Sequence, residues 1–245
     1  MVELRTLPAG CAGRRRSNAC DSCGARLLSV CSSIDEDDLG KLDAMAEHVA
    51  FRSGESLIFE GDPAVHLFNI TSGSVRVFKL LSDGRRQITG FLFAGDFLGL
   101  ATGDAYVFSA EAIEPATACR FRKADYRTLI HATPALERAL LERANHELIA
   151  AQSQMLLLGR KTALERLATF LLDLPGHDPA RPTPGGRVHL PMTRTEIGDY
   201  VGLTIETVSR VLTRLKTRGV IRFSTLTDLV IVQPDVLKAL AEGDA

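Results

Sequence analysis

No apolar run in this chain approaches the roughly 20 residues needed to cross a bilayer, which excludes a protein built from membrane helices. The first stretch, MVELRTLPAGCAGRRRSN, also lacks the apolar core of a secretory signal. The expected location is therefore the cytoplasm, where thiols stay reduced. Catalytic signatures are missing as well. The six histidines are scattered, and neither a Ser/His/Asp arrangement nor a phosphate-binding glycine loop is present, so an enzyme is the remote alternative. Charge is nearly balanced: the net value of −1, taken alone, argues against a nucleic-acid binder. Cysteine is scarce too, at five in 245 residues. Four of the five, Cys11, Cys20, Cys23 and Cys31, nevertheless crowd the first 31 residues, while Cys119 stands alone far downstream.

What is present is an ordinary globular composition, 45% hydrophobic and 24% charged, long enough for two compact domains. The charge is polarised along the chain. Arg160 to Arg222 holds 11 Lys/Arg against 6 Asp/Glu, leaving −6 for the rest. Residues 1–34 form a Cys-, Arg- and Ser-rich lead without periodicity, whose order a bound metal could supply. A short acidic helix is predicted over about Asp35–Ala50, from Leu39, Leu42, Met45, Ala46 and Val49 at helical spacing. From Phe51 to about Arg122, short alternating runs are separated by turn signals at Gly54, Gly61, Gly73, Gly84 and Gly95, which predicts a small antiparallel β-barrel or jelly roll. Ala124 to about Leu158 reads as helix interrupted near Pro134. Its long second part carries two stripes: Leu141, Ala144, Leu148, Ala151, Met155 and Leu158, and a more polar neighbour of Glu142, Asn145, Ile149, Gln152 and Leu156. Either both are buried within one subunit, or one packs on the β-domain and the other on a second copy. A helix over about Lys161–Leu174 and a Pro/Gly-rich loop over Gly176–Arg187 follow.

The segment Met192–Leu215 carries the clearest local signal. Thr193 and Glu196 form a capping box, Gly202 suits a sharp turn, Thr204 can cap the next helix, and Gly219 stops it. Val208, Val211, Leu212 and Leu215 fall on one side of that helix, Glu206, Ser209, Arg210 and Thr213 on the other. On a helix in a major groove, Arg210 can bond guanine O6 and N7, Glu206 can accept from cytosine N4, and Ser209 can contact a base or phosphate. Arg214, Lys216 and Arg218 are placed to meet phosphates. The following VIRFSTLTDLVIV reads as a two-stranded wing. A surface helix with ordinary salt bridges, Glu206 to Arg210 for instance, is the competing reading.

Cys20-x2-Cys23-x7-Cys31, with Cys119 distant, can grip one metal centre, and four thiolates suit zinc or an iron–sulfur cluster alike. A redox C-x-x-C would need a strand-to-helix context that this loop lacks. Cys11 has no partner spacing and reads as a spare thiol.

These features together resemble the CRP/FNR superfamily of bacterial transcription regulators, and in particular its oxygen-sensing fumarate and nitrate reductase regulator group. The resemblance covers nearly the whole chain: the cysteine pattern, Gln87–Phe91 through Ala94–Asp96, Met155–Leu158 leading to Glu165-Arg166-Leu167-Ala168, and Leu203–Arg210. It implies an α+β chain with a cluster-binding segment (1–34), a β-roll sensory domain (35–132), a dimerisation helix (133–160) and a winged helix-turn-helix (161–245). It further implies a 4Fe–4S cluster on Cys20, Cys23, Cys31 and Cys119, with Glu206, Ser209 and Arg210 reading TTGAT-N4-ATCAA-like sites. A homodimer joined through Ile149, Gln152 and Leu156 and contact with RNA polymerase complete the expectation, with genes activated in low oxygen. A zinc-stabilised or thiol-redox regulator of the same fold is the alternative. Two positions depart from the family pattern. Gly95–Ala110 has no arginine for a cyclic nucleotide's phosphate, so no cyclic nucleotide is expected, and Gln152 stands where the oxygen sensors carry an aspartate.

Overall fold

The computed structural model describes residues 19–100, 103–177 and 186–243; Cys11 lies outside them. The chain divides into two compact units, Met1–Phe78 with Phe91–His146, and Lys79–Gly90 with Glu147–Ala245.

The first unit opens with three short 3-10 turns, Ala19–Ser22, Arg26–Leu28 and Val30–Ser33. Helix α1 (Glu36–Met45) follows, capped by the Asp35 carboxylate, which accepts from the Asp38 amide at 2.9 Å. Glu36, Asp37 and Asp38 lie in its first turn, at the positive end of the helix dipole. The helix stops short of the predicted Ala50, because Glu47–Phe51 forms strand β1. Val49 is buried there, opposite Ala118. A period of 3.6 and a period of 2 both place Val49 inside, so the apolar pattern could not separate the two states.

The remaining strands of the roll are β2 (Ser56–Ile58), β3 (His66–Ser72), β4 (Val75–Leu80), β5 (Arg86–Leu92), β6 (Phe97–Leu98), β7 (Ser109–Ala112) and β8 (Ala116–Arg122). They form two four-stranded sheets, ordered β1-β8-β3-β6 and β2-β7-β4-β5. Phe68 and Ile70 from the first and Ile58 and Val75 from the second share one buried apolar cluster, as sheets packed face to face require. Strand alternation decides what reaches the opposite face of the first sheet. Leu67, Asn69, Cys119 and Phe121 point there, and Asn69 stands directly across from Cys119 in the β3–β8 register. That outer face is covered by Leu39 and Leu42 of α1, by Tyr126 and Leu129 of α2 (Lys123–Ala132), and by Leu136, Ala139 and Leu140 of α3 (Pro134–Arg160).

Pro134 opens α3, where its missing N–H has no partner to lose. Beyond Leu140 the helix changes character. Leu141, Leu148, Ile149, Met155 and Leu156 are all exposed, Ile149 to 60% and Leu156 to 65%. Apart from the half-buried Leu158, both stripes are therefore open within this subunit, so neither is buried by the chain itself, and the contact with the β-domain core is made at the start of α3, by Leu136, Ala139 and Leu140, just ahead of the stripes.

In the second unit, α4 runs over Ala163–His177, past the expected stop at Leu174. A proline costs a helix its own amide and crowds the carbonyl four residues back, yet the last turn of α4 runs on through it. The predicted loop Gly176–Arg187 thus begins in helix, and 178–185 lie outside the described residues. Helices α5 (Arg194–Val201), α6 (Ile205–Thr217) and α7 (Pro234–Glu242) accompany a sheet ordered β10-β11-β9, formed by β9 (Arg187–His189), β10 (Ile221–Phe223) and β11 (Asp228–Ile231). The expected two-stranded wing is present as β10 and β11, and β9, which the sequence reading did not anticipate, joins it as a third strand. Val188 on β9 is buried beside Leu229 of β11, a pairing across some 40 residues that no local pattern announces.

Candidate metal centre and nucleic-acid interface

The cysteine loop is built from tight turns. The Cys23 amide bonds the Cys20 carbonyl at 3.3 Å, and the Arg26 amide bonds the Cys23 carbonyl at 3.1 Å. Ser29 then holds the third cysteine, its hydroxyl accepting from the Cys31 amide at 3.3 Å. The loop lies tight against the β5–β6 turn at Gly95, where φ is +97° and an added Cβ would sit 2.7 Å from the Leu28 carbonyl oxygen. Glycine is needed at 95 for both reasons.

Four free thiols, Cys20, Cys23, Cys31 and Cys119, line a single cavity together with Arg26, Asp43, Asn69 and Phe121. Cys20, Cys31 and Cys119 are buried. Sequence separation is thus resolved in space: β8 delivers Cys119 to the same side of the sheet on which the N-terminal loop folds. Among the described residues, no three His, Cys, Asp or Glu side chains are gathered as a single-ion site. Burial pushes the thiols of Cys20, Cys31 and Cys119 up. Cys119 is raised to about 12 by desolvation and by the neighbouring Cys23 and Cys31. Cys20 is raised further by desolvation and by Asp43, whose carboxylate accepts its thiol hydrogen at 3.5 Å. In Cys31 desolvation again dominates, opposed in part by Ser29. A cavity of this kind keeps thiols protonated until a cation supplies the opposing charge. Its four sulfur donors, free of disulfides but not gathered round a single-ion position, have the chemistry of the thiolate ligands of an iron–sulfur centre.

Three residues in or beside this wall escaped the sequence reading. Asp43 and His48 form a polar edge, with His48 Nε2 3.5 Å from the Asp43 carboxylate and His48 Nδ1 3.7 Å from the Cys119 sulfur. Asn69 donates from Nδ2 to the Cys31 sulfur at 3.8 Å. The signal for Asn69 was a lone amide inside the otherwise apolar run Leu67–Ile70.

The helix-turn-helix follows the expected plan. Thr193 Oγ1 accepts from the Glu196 amide while the Glu196 carboxylate accepts from the Thr193 amide at 2.6 Å, which accounts for the burial of Glu196. Gly202 adopts φ +67°, and Thr204 caps α6 by accepting from the Thr207 amide at 3.3 Å. Val208, Leu212 and Leu215 are buried, while Glu206, Arg210, Thr213, Arg214, Lys216 and Arg218 are exposed and Ser209 is half-buried. Arg210 Nη2 donates to the Thr207 hydroxyl at 3.1 Å. Its charge, behind the Glu206 amide and Thr204, helps hold the Glu206 carboxyl below the usual range. This face is thereby offered to solvent, with Arg210 held by Thr207.

Two residues of this unit have roles that the sequence reading does not assign. An added Cβ on Gly198, in α5, would lie 2.5 Å from the Leu203 carbonyl oxygen, so this helix must pass the turn bare. Arg166 of α4 donates to the carbonyls of Leu158 and Lys161 at 2.8 Å each, of Val201 at 3.0 Å and of Gly202 at 3.3 Å.

Comparison with known proteins agrees with this anatomy. A family model described as a Crp-like helix-turn-helix domain matches residues 165–240, and one described as a cyclic nucleotide-binding domain matches residues 48–133. The nitrogen fixation regulation protein FixK of Bradyrhizobium diazoefficiens is 43% identical over 202 residues, 82% of this chain and 85% of that protein. The transcriptional activator protein FnrL of Cereibacter sphaeroides is 35% identical, covering 91% of each chain. The solved structure of FixK2 from Bradyrhizobium japonicum superposes with a TM-score of 0.74 at 39% identity, over 80% of this chain and 96% of that one. These relatives are transcription regulators rather than enzymes, and no helix among the described residues is long and apolar enough to cross a membrane. With a roll of two sheets, a long helix and a Crp-like helix-turn-helix in one chain, this protein belongs to the CRP/FNR family and is a transcriptional activator of the FNR/FixK type.

Proposed function

We propose that the chain is an oxygen-responsive activator that holds a 4Fe–4S cluster on Cys20, Cys23, Cys31 and Cys119 and binds TTGAT-N4-ATCAA-like DNA as a homodimer in low oxygen. The observation that carries this reading is the convergence of four free thiols on one cavity, three from the N-terminal loop and one from the sheet. When bound, the cluster supplies a centre whose oxidation by dioxygen ends its hold on the cysteines. The chain's own part is mechanical. Ligation ties residues 20–31 to β8, and the buried cluster around those cysteines includes Leu136, Ala139 and Leu140 at the start of α3. A tether there bears on the helix whose exposed Ile149 and Leu156 meet their mates across a two-fold axis. Gln152 on the same stripe keeps the seam weakly polar, so a modest coupling energy decides assembly. Dimerisation spaces two α6 helices about one turn of DNA apart, and the bound dimer contacts RNA polymerase. No cyclic nucleotide enters the proposal, since Gly95–Ala110 offers no arginine to a phosphate.

Anaerobic reconstitution with iron and sulfide, followed by exposure to air, tests this directly. Iron and sulfide near four each per chain, with DNA affinity falling as the absorbance bleaches, is the expected result. Zinc in their place, or DNA binding unchanged after the colour is lost, would sink it.

Base readout has its own prediction. Arg210→Ala should cost about 1–3 kcal/mol on a specific site and relax discrimination at one base pair. Competition binding across single-base variants reads this, and an equal loss on random DNA would assign Arg210 to phosphate contact.

A further inference from the structure

Asn69 is 2% exposed and sits in a strand whose neighbours Leu67, Phe68 and Ile70 are all buried. An amide buried in such a place costs stability unless its polar atoms are partnered. Within the described chain its Oδ1 has no partner, and its one bond is the Nδ2 contact to the Cys31 sulfur at 3.8 Å. Asn69 also lines the cavity that the four thiols share, and the register of β3 and β8 sets it directly opposite Cys119. A leucine or valine would fill this spot at lower cost to the fold. The side chain therefore answers to the cavity and not to the packing of the sheet.

Resting on the reading of the four cysteines as cluster ligands, we propose that Asn69 is a positioning residue for that centre: its Nδ2 donates to the Cys31 sulfur in the ligating state, which stabilises negative charge on that sulfur and slows its release. A neutral thiol accepts weakly, whereas a charged sulfur makes the bond stronger. The interaction thus favours the ligated state over the empty one. Hydrogen bonds to ligating sulfurs also raise the reduction potential of such centres, since they favour the more negative state.

Asn69→Leu separates this role from a structural one, because the two predict opposite signs. The empty Asn69→Leu protein should melt at the same temperature as wild type or higher, since a buried unpartnered oxygen has been removed. The anaerobically loaded Asn69→Leu protein should instead surrender iron to an excess of a ferrous chelator about fivefold faster than wild type, roughly the worth of one net hydrogen bond, and titrate at a lower reduction potential. Asn69→Ser, which keeps a donor, should release iron at a rate between the two. Release rates and potentials equal to wild type in two iron-loaded proteins would overturn the proposal while leaving the cluster reading intact. Absence of iron and sulfide from wild type itself would overturn both.

Discussion

Cys119→Ser is expected to reduce bound iron and sulfide from about four each per chain to a small residue while leaving the β-roll folded. The reason lies in where β8 sits. It is paired on one side with β1 and on the other with β3, so its backbone ladder does not depend on the side chain at 119. A serine hydroxyl is close in size to the thiol and finds His48 Nδ1, which lies 3.7 Å from the present sulfur, so the change costs the fold about 1 kcal/mol. The cost to the centre is much greater. Cys20, Cys23 and Cys31 all belong to one short loop, and on the cluster reading proposed above a centre held by them without Cys119 would no longer tie that loop to the sheet. DNA binding should then lose its dependence on oxygen and stay at the level of the empty protein. Elemental analysis and a thermal melt of the same sample decide the matter. A Cys119→Ser protein that keeps its full iron would show that the fourth ligand lies elsewhere, whereas Cys11→Ser is expected to load normally.

How much of this was readable beforehand depended on the range of the interaction concerned. Local chemistry was legible. The capping box at Thr193 and Glu196, the turn at Gly202 and the buried stripe on α6 all follow from residues within one or two helical turns of each other. The glycines that punctuate the roll have positive φ, as turn residues between strands require. What was missed involves pairing at a distance. The third strand of the wing, β9, is recruited from beyond the helix-turn-helix. Asn69 becomes part of the cysteine site only because β3 lies beside β8, and Arg166 gains its meaning from carbonyls 35 and 36 residues away. The end of α1 was misjudged because Val49 fits inside under either period. The two stripes on α3, one apolar and one mixed, are legible in the sequence, but sequence could not say that both would stay uncovered within one subunit.

Arg166→Ala is expected to destabilise the second unit by about 3 kcal/mol, which for a unit of this size is a fall in melting temperature of about 15 °C. One guanidinium serves four carbonyls there. Leu158 belongs to the last turn of α3, whose carbonyls have no amides of their own to meet; Lys161 leads into α4; Val201 and Gly202 form the turn between the two helices of the DNA-binding motif. The fit is close, since an added Cβ on Gly202 would approach Leu158 Cδ2 at 3.0 Å and Arg166 Nη1 at 3.1 Å. Removing the side chain leaves these half-buried acceptors to imperfect hydration and loosens the turn that aims α6. Affinity for specific DNA should therefore fall with stability, although Arg166 itself touches no base in this reading. Arg166→Lys tests the geometry, because a single ammonium cannot reproduce the planar fork and should recover less than half of the loss. Chemical denaturation of the three proteins supplies the numbers. If Arg166→Ala unfolds within 1 kcal/mol of wild type, water replaces the guanidinium adequately and the turn is held by the packing of Val201 and Val208 alone.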